Sequence, residues 1–563
     1  MNRAGTDLVR ISTPPGSDEE FRSWLALTDA LNFLSENLRQ DDFIVYAGLA
    51  HTFIHAIAVP ARLLHPPDVE DLIGWNCNAS SSWGISHFVS NPPEIVIAPP
   101  LQDTGSKSLD QGEQLVFARF FEGRLGKKNY IEILQKFVQV SDLHFLPERN
   151  AYCRLDKHGD IEDVISIFNV PAKGQGYDGT IVTFNRTVLD KYLTMTDLGI
   201  VRTFDFTRWR PTQFAGWSNT KDEKQVVDDE LIYRLVIESG HASYARGCQI
   251  VQPQVSKATL IKTFGTYDRE DKQYASFIAH DWKHDVVSEI SCEPGATANY
   301  FTESDLPFEM SSVFFRPEVL AKYKADTEKY DLDDRSISCR GTWHLQTYDI
   351  NEVGQVHTYL VYLRALPYEE QLHWKAYNEK PKGPISERSF KTDFLGEWDL
   401  EYDPLNSLKE KLRQLSSKQV PWWTLRSTNL MDNVHYPATT SADEWANEIL
   451  HADQLLVEGF EERWLRKKAE DLGRTTDPQF RGLKLLAECL VGLGLEEDRA
   501  LKTIKPLQTL HHFRSKVKGH ASGEEAVSIR QDILSSHGSF RNHFRHLLSE
   551  CDNSLEEIIN ALS

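Results

Sequence analysis

The chain has 563 residues, 40% hydrophobic and 11% aromatic, enough apolar side chain for several packed cores. Lys plus Arg number 62 against 83 Asp plus Glu, and the resulting net charge of −21 argues against a broad cationic surface for nucleic acid while leaving room for a local cationic cleft. The seven cysteines are scattered, with Cys248 and Cys292 the closest pair, so there is no CxxC motif for zinc or disulfide exchange, and buried thiols in a reducing compartment are expected.

The opening MNRAGTDLVRISTPPGSDEEF lacks the apolar core of a signal peptide, and no run of about 18 apolar residues occurs, so a soluble cytoplasmic protein with no membrane partner is expected. Residues 19–38 carry apolar side chains at three- and four-residue spacing and predict a helix. Residues 43–62 form a long, largely apolar run that contains His51 and His55, followed by strand-like runs at 94–98 and 114–120 and a helix-like pattern at 130–138. The polar stretch 102–112 reads as a loop and a candidate boundary. From 143 to 219 the pattern is β-rich, with strands on either side of a glycine turn at 157–159. The glycine run 173–179 (KGQGYDG) lacks both the Lys-Ser/Thr of a phosphate loop and the third spaced glycine of a dinucleotide fingerprint, and so predicts a turn.

A further β-rich stretch covers 228–377, in which strand aromatics are expected to be core. EKPKGP at 379–384 breaks regular structure and opens a connector with a short helix at 406–415. Beyond Ser441 the pattern stays helical: one long helix or a pair over 443–472 ended by Gly473, another over 480–493, a start at 496–498, and two more at 524–535 and 539–562. The expected fold is therefore α+β, a β-rich N-terminal two-thirds followed by an all-α antiparallel helical bundle. The expected division is a mixed α/β domain over 1–220, a β-rich domain over 221–385, a connector over 386–440 and the bundle over 441–563.

The informative stretch is LQTLHHFRSKVKGHASG, residues 507–523. Leu507, Leu510, Phe513 and Val517 predict an amphipathic helix, with Pro506 in its first turn and Gly519 at its end. At about 100° per residue Arg514 falls on the apolar stripe, where a guanidinium needs a carboxylate partner, a wet cleft or a subunit interface. His520 follows just past the glycine. This arrangement, late in a helical tail, resembles the HEPN superfamily, small helical bundles of prokaryotic toxins and phage-defence proteins. That family's signature is an arginine, then a polar residue, then a histidine after a gap of four to six residues. Here residues 515–519 fill the gap, and Ser515 stands where Asn, Asp or His is more usual.

The resemblance covers only the last 120 or so residues. It implies metal-independent cleavage of RNA without a cofactor, at the interface of a homodimer formed through the bundle. Arg514, His520 and Ser515 would then be catalytic, with Lys516, Lys518, His511 and His512 contacting RNA. It also implies a defence or toxin effector whose N-terminal region senses or regulates, answering to a protein or phage-derived trigger. The chemistry suits the residue types, since a histidine near neutrality transfers protons and a guanidinium holds phosphate oxygens. Against this stands a structural role in which Arg514 pairs with an internal acid and His520 caps the helix, leaving a non-catalytic dimerisation or nucleotide-binding module. The Arg541–His546 run lines the same cleft or forms a solvated helix face. A third reading is a metal-dependent hydrolase centred on His280 and His284, which sit four apart as in HExxH but with Asp281 where that motif has Glu.

Overall fold

The computed structural model describes residues 1–75, 82–101, 104–123, 126–171, 178–210, 216–217, 222–238, 240–265, 272–397, 402–427, 429–519 and 524–562. Two compact units account for them, one of residues 1–156 and 161–270 and the other of 157–160 and 271–563. With 41% helix and 27% strand the protein is α+β, with antiparallel sheets in its first two-thirds and helices toward the C-terminus. No helix among the described residues is long and apolar enough to cross a membrane.

The first unit is built on one large antiparallel sheet. In chain order its main strands are β1 (Asp42–Leu49), β2 (Thr52–Pro60), β3 (His144–Leu146), β4 (Ala151–Leu155), β5 (Ile161–Val170), β6 (Gly179–Asn185), β7 (Leu198–Trp209), β8 (Asp222–Val227), β9 (Leu231–Glu238) and β10 (Ala242–Val251). They lie in the order β8-β9-β10-β7-β2-β1-β6-β5-β4-β3. The apolar run at 43–62 becomes the central hairpin β1–β2, buried on both faces, which explains its lack of polar alternation. The sheet crosses residue 220, so residues 222–251, expected to open a separate domain, complete this one. The helix-like pattern at 130–138 divides instead between a strand, Gly126–Ile133, and a short helix, Gln135–Val140.

Successive β1 side chains point to opposite faces. Ile44 and, past a β-bulge between Ile44 and Tyr46, Ala47 pack under two N-terminal helices, α1 (Arg3–Ser12) and α3 (Thr28–Asn37), through Leu8, Ala30, Phe33 and Leu34, while α2 (Asp18–Leu25) between them holds a small cluster of its own, Phe21, Trp24 and Leu25. Phe43 and Val45 face Phe137, Leu189 and Tyr192, partly from α4 (Arg186–Met195). Two buried arginines fasten the helical layer to the sheet. Arg208 donates to Asp29 Oδ1 at 2.8 Å and to the carbonyls of Ile11 and Trp24. Arg202 meets no carboxylate among the described residues: it donates to Asn37 Oδ1 at 2.6 Å, to Gln249 and to backbone carbonyls, and burial pulls its pKa down to about 9.

The second unit opens with a small antiparallel sheet in the order Val286–Ser291, Ser276–Asp281, Ser312–Phe315, Val356–Tyr359 and Asp349–Ile350, and a three-stranded sheet of Tyr330–Leu332, Ile337–Cys339 and Trp343–Leu345. Trp343 and Trp374 are buried in its core, and Trp422 and Trp423 in the core of the helices that follow. Those helices are α5 (Pro404–Ser417), α6 (Ala442–Leu456), α7 (Glu462–Asp471), α8 (Gly482–Gly492), α9 (Glu497–Gly519), α10 (Glu524–His537) and α11 (Phe540–Leu562). Asp403 and Ser441 cap α5 and α6 with side-chain oxygens, and Gly473, at φ 76°, follows α7 as expected. Although α5 lies in the expected connector, Leu405, Leu408, Leu412 and Leu415 enter the same core as Leu507, Leu510 and Leu555.

Candidate functional site

Helix α9 begins nine residues before Pro506, so that proline lies inside the helix instead of in its first turn. Ala500, Ile504, Leu507 and Leu510 are buried along one stripe, which holds the helix together despite the missing amide donor. Arg514 continues that stripe and finds its partner within the chain. Its Nη1 donates to Asp453 Oδ2 at 2.6 Å and lies 2.5 Å from Glu458 Oε1. Asp453, on α6, is fully buried, and its second oxygen lies 3.0 Å from Nδ1 of His511. Burial works against the charge on Arg514, but the hydrogen bonds and charges of Asp453 and Glu458 outweigh it and hold the guanidinium above its ordinary pKa. The arginine's place on an apolar stripe is thus explained by an internal ion pair, with no second subunit required.

The outer side of this cluster opens into a cleft of about 950 Å³. Four residues singled out from the sequence line it together: His511, His512, Arg514 and Ser515. So do Arg463 from α7 and Arg481 and Lys484 near the start of α8, which sequence reasoning did not find. Arg481 faces Glu462 at 3.5 Å, and Arg426, at the rim, pairs with Glu461 at 2.9 Å. Arg463 has no ion pair among the described residues. Nε and Nη2 of Arg514 likewise donate no hydrogen bond among the described residues, so two of its donor atoms remain for a ligand.

The Ser515 hydroxyl donates to the His511 carbonyl at 3.1 Å, a local bond one turn back along the helix. Lys516 sits on α9 outside the cleft lining. Lys518 belongs to α9, but its side chain, like that of Val517, is not described, and His520 lies outside the described residues. So do Cys77 and most of the 173–179 glycine run. The six described cysteines are free and buried. Asp453 was missed although its signal is the same as that of Arg514: a charge among Ile449, Ala452 and Leu456 on a buried stripe.

The other two sequence candidates resolve differently. His280 is the next-to-last residue of the Ser276–Asp281 strand and His284 lies in the following turn, so they do not share a helix face. His280 Nε2 is 3.1 Å from Asp285. His284 Nδ1 is 2.6 Å from Asp281, whose hydrogen bond raises the imidazole's pKa. No group of three or more residues able to hold a metal occurs among the described residues. In the 541–546 run, Arg541 reaches Asp334 at 3.0 Å, while His543 is buried and accepts from Trp445 Nε1 at 3.3 Å. Burial, then the neighbouring His537 and His546, hold His543 down to a pKa of about 4. That helix face is therefore partly core.

No family model, curated protein or solved structure matches the chain.

Proposed function

We propose that the C-terminal helices form a HEPN-like bundle that cleaves RNA without a metal, in a defence or toxin effector whose N-terminal region senses or regulates. The observation that carries this reading is the open cleft, cationic on balance, in which Arg514, His511, His512 and Ser515 meet Arg463, Arg481 and Lys484 beside Glu458, Glu461 and Glu462. In the proposed step a ribose 2′-oxygen attacks the adjacent phosphorus while a base takes its proton. The 5′-oxygen leaves with a proton from an acid, which yields a 2′,3′-cyclic phosphate. His520 is the proposed proton-transfer residue and Arg514 the group that holds the non-bridging oxygens as their charge grows. His511 supplies a second imidazole: with Nδ1 held by Asp453, its Nε2 is the nitrogen left for substrate. Dimerisation through the bundle would bring two such sets together.

One observation favours a second reading. Asp453 and Glu458 already neutralise Arg514, as expected of a structural arginine in a non-catalytic dimerisation or nucleotide-binding module. The two readings part on a single assay. Purified protein incubated with RNA and excess chelator cuts under the first reading, and His520→Ala stops the cutting while leaving the thermal midpoint in place. Under the second reading neither protein cuts, and Arg514→Ala changes only stability or association.

A further inference from the structure

Within the first unit the strands Gly84–Phe88 and Glu94–Ala98 form a two-stranded sheet of their own. Their register sets Ile85 opposite Ile97 and His87 opposite Ile95, so these four side chains share one face, while Ser86, Phe88, Glu94 and Val96 share the other. The same alternation carries the first face on to Trp83 and Val89. This apolar face is the one turned to water. Trp83, Ile85, Val89, Ile95 and Ile97 are 62–88% exposed, whereas Ser86 and Val96 behind them are half-buried. A sheet with one covered face carries its apolar set on the covered side, so the inversion calls for a cover. A lone two-stranded hairpin is also marginally stable in water. Segments outside the described residues are at most six residues long, too short to blanket five large side chains.

We infer that this face is an interface between two copies of the chain, the hairpins stacked about a twofold axis into a two-layer contact. Area and charge select the second copy. The five side chains present on the order of 600 Å² per copy, so a stack removes on the order of 1,200 Å² in all, the lower end of what specific interfaces bury. Between residues 83 and 98 only Glu94 is charged, and it lies on the opposite face. Two chains of net charge −21 repel each other and approach at least cost where neither offers a carboxylate. The same neutrality leaves nothing to attract a charged partner or an anionic headgroup. Hydrocarbon is a poor cover, because each strand keeps one edge unpaired among the described residues, and a face-to-face stack leaves those edges in water. The inference is independent of RNA cleavage and of a dimer through the bundle, because the hairpin belongs to the first unit.

The test pairs sedimentation with cross-linking of the purified chain. The parent is expected to associate between about 1 and about 100 μM, and Ile85→Lys with Ile97→Lys to weaken that step at least about tenfold, since the stack would bury four ammonium groups. Both side chains already stand in water, so the substitutions remove little internal packing. His87→Cys, at the centre of the face, is treated with a bismaleimide about 10 Å long, the spacing of stacked sheets. It is expected to give a covalent pair of chains that the parent, treated alike, does not give, and the two lysines added to it should remove that product. A bundle dimer does not mask this result, because the cross-link reads residue 87 alone. The inference is overturned if His87→Cys gives no covalent pair, or if the two lysines change neither association nor cross-linking. It is also overturned if the parent stays a single copy at about 100 μM and floats with phosphatidylcholine vesicles, which would give the face to a bilayer.

Discussion

Arg514 is anchored by a carboxylate that has no access to water, and this fixes what its loss should do. Arg514→Ala leaves Asp453 buried with only His511 beside it, a change expected to cost about 2 kcal/mol or more in urea unfolding. Asp453→Asn in the same chain should recover part of that loss, because a neutral amide is cheaper to leave buried than a charge. An unchanged urea midpoint in Arg514→Ala would contradict the ion pair. His543 gives a second test through pH. Its pKa is depressed to about 4 in the folded protein, so its contribution is complete above the ordinary value near 6.5 and is lost as pH falls from there toward 4. The loss amounts to at most about 3 kcal/mol. Replacing it by leucine should flatten the fall in thermal midpoint between pH 6.5 and 4, whereas an unchanged slope would place the pH dependence elsewhere, for example at His55 or His357, which are held near 4 by burial as well.

Helix-scale features were legible wherever one strong local signal was enough. Gly473 and the leucine spacing of α9 each announce a boundary or a buried face, and the chain beyond Ser441 is helical where the spacing predicts it. Pro506 misled because proline suits a first turn, yet nine helical residues on its N-terminal side and an apolar stripe that runs past it carry α9 straight through it. Sheet membership was not legible: pairing β7 with β2 and β10 joins residues far apart in sequence, and no local pattern records that register. The candidate cleft was half legible. His511, His512, Arg514 and Ser515 follow one another on α9, but Arg463, Arg481 and Lys484 join them only through helix packing. The sheet offers its own test at Gly247 on β10, where an added Cβ would meet the Ile232 carbonyl oxygen at 2.0 Å on the neighbouring strand. Gly247→Ala should cost about 1–3 kcal/mol in urea unfolding; a neutral effect would mean that β9 and β10 are not paired in this register.

For the whole molecule, the net charge of −21 sets a condition on any RNA-binding role. The acidic surface repels a polyanion at long range, so binding has to come from the local cations of the Arg514 cleft and to weaken steeply with salt. Arg463→Ala should weaken RNA binding and lower the salt slope by about one unit, read by fluorescence anisotropy over a salt series. A slope unchanged by that substitution would move the nucleic acid to another surface. The most direct measurement remains RNA cleavage by the purified protein in excess chelator, compared with His520→Ala. The expected result is metal-independent cutting that leaves 2′,3′-cyclic phosphate ends and is lost in His520→Ala. Cutting that persists in His520→Ala, or that requires a divalent cation, would contradict the proposed ribonuclease.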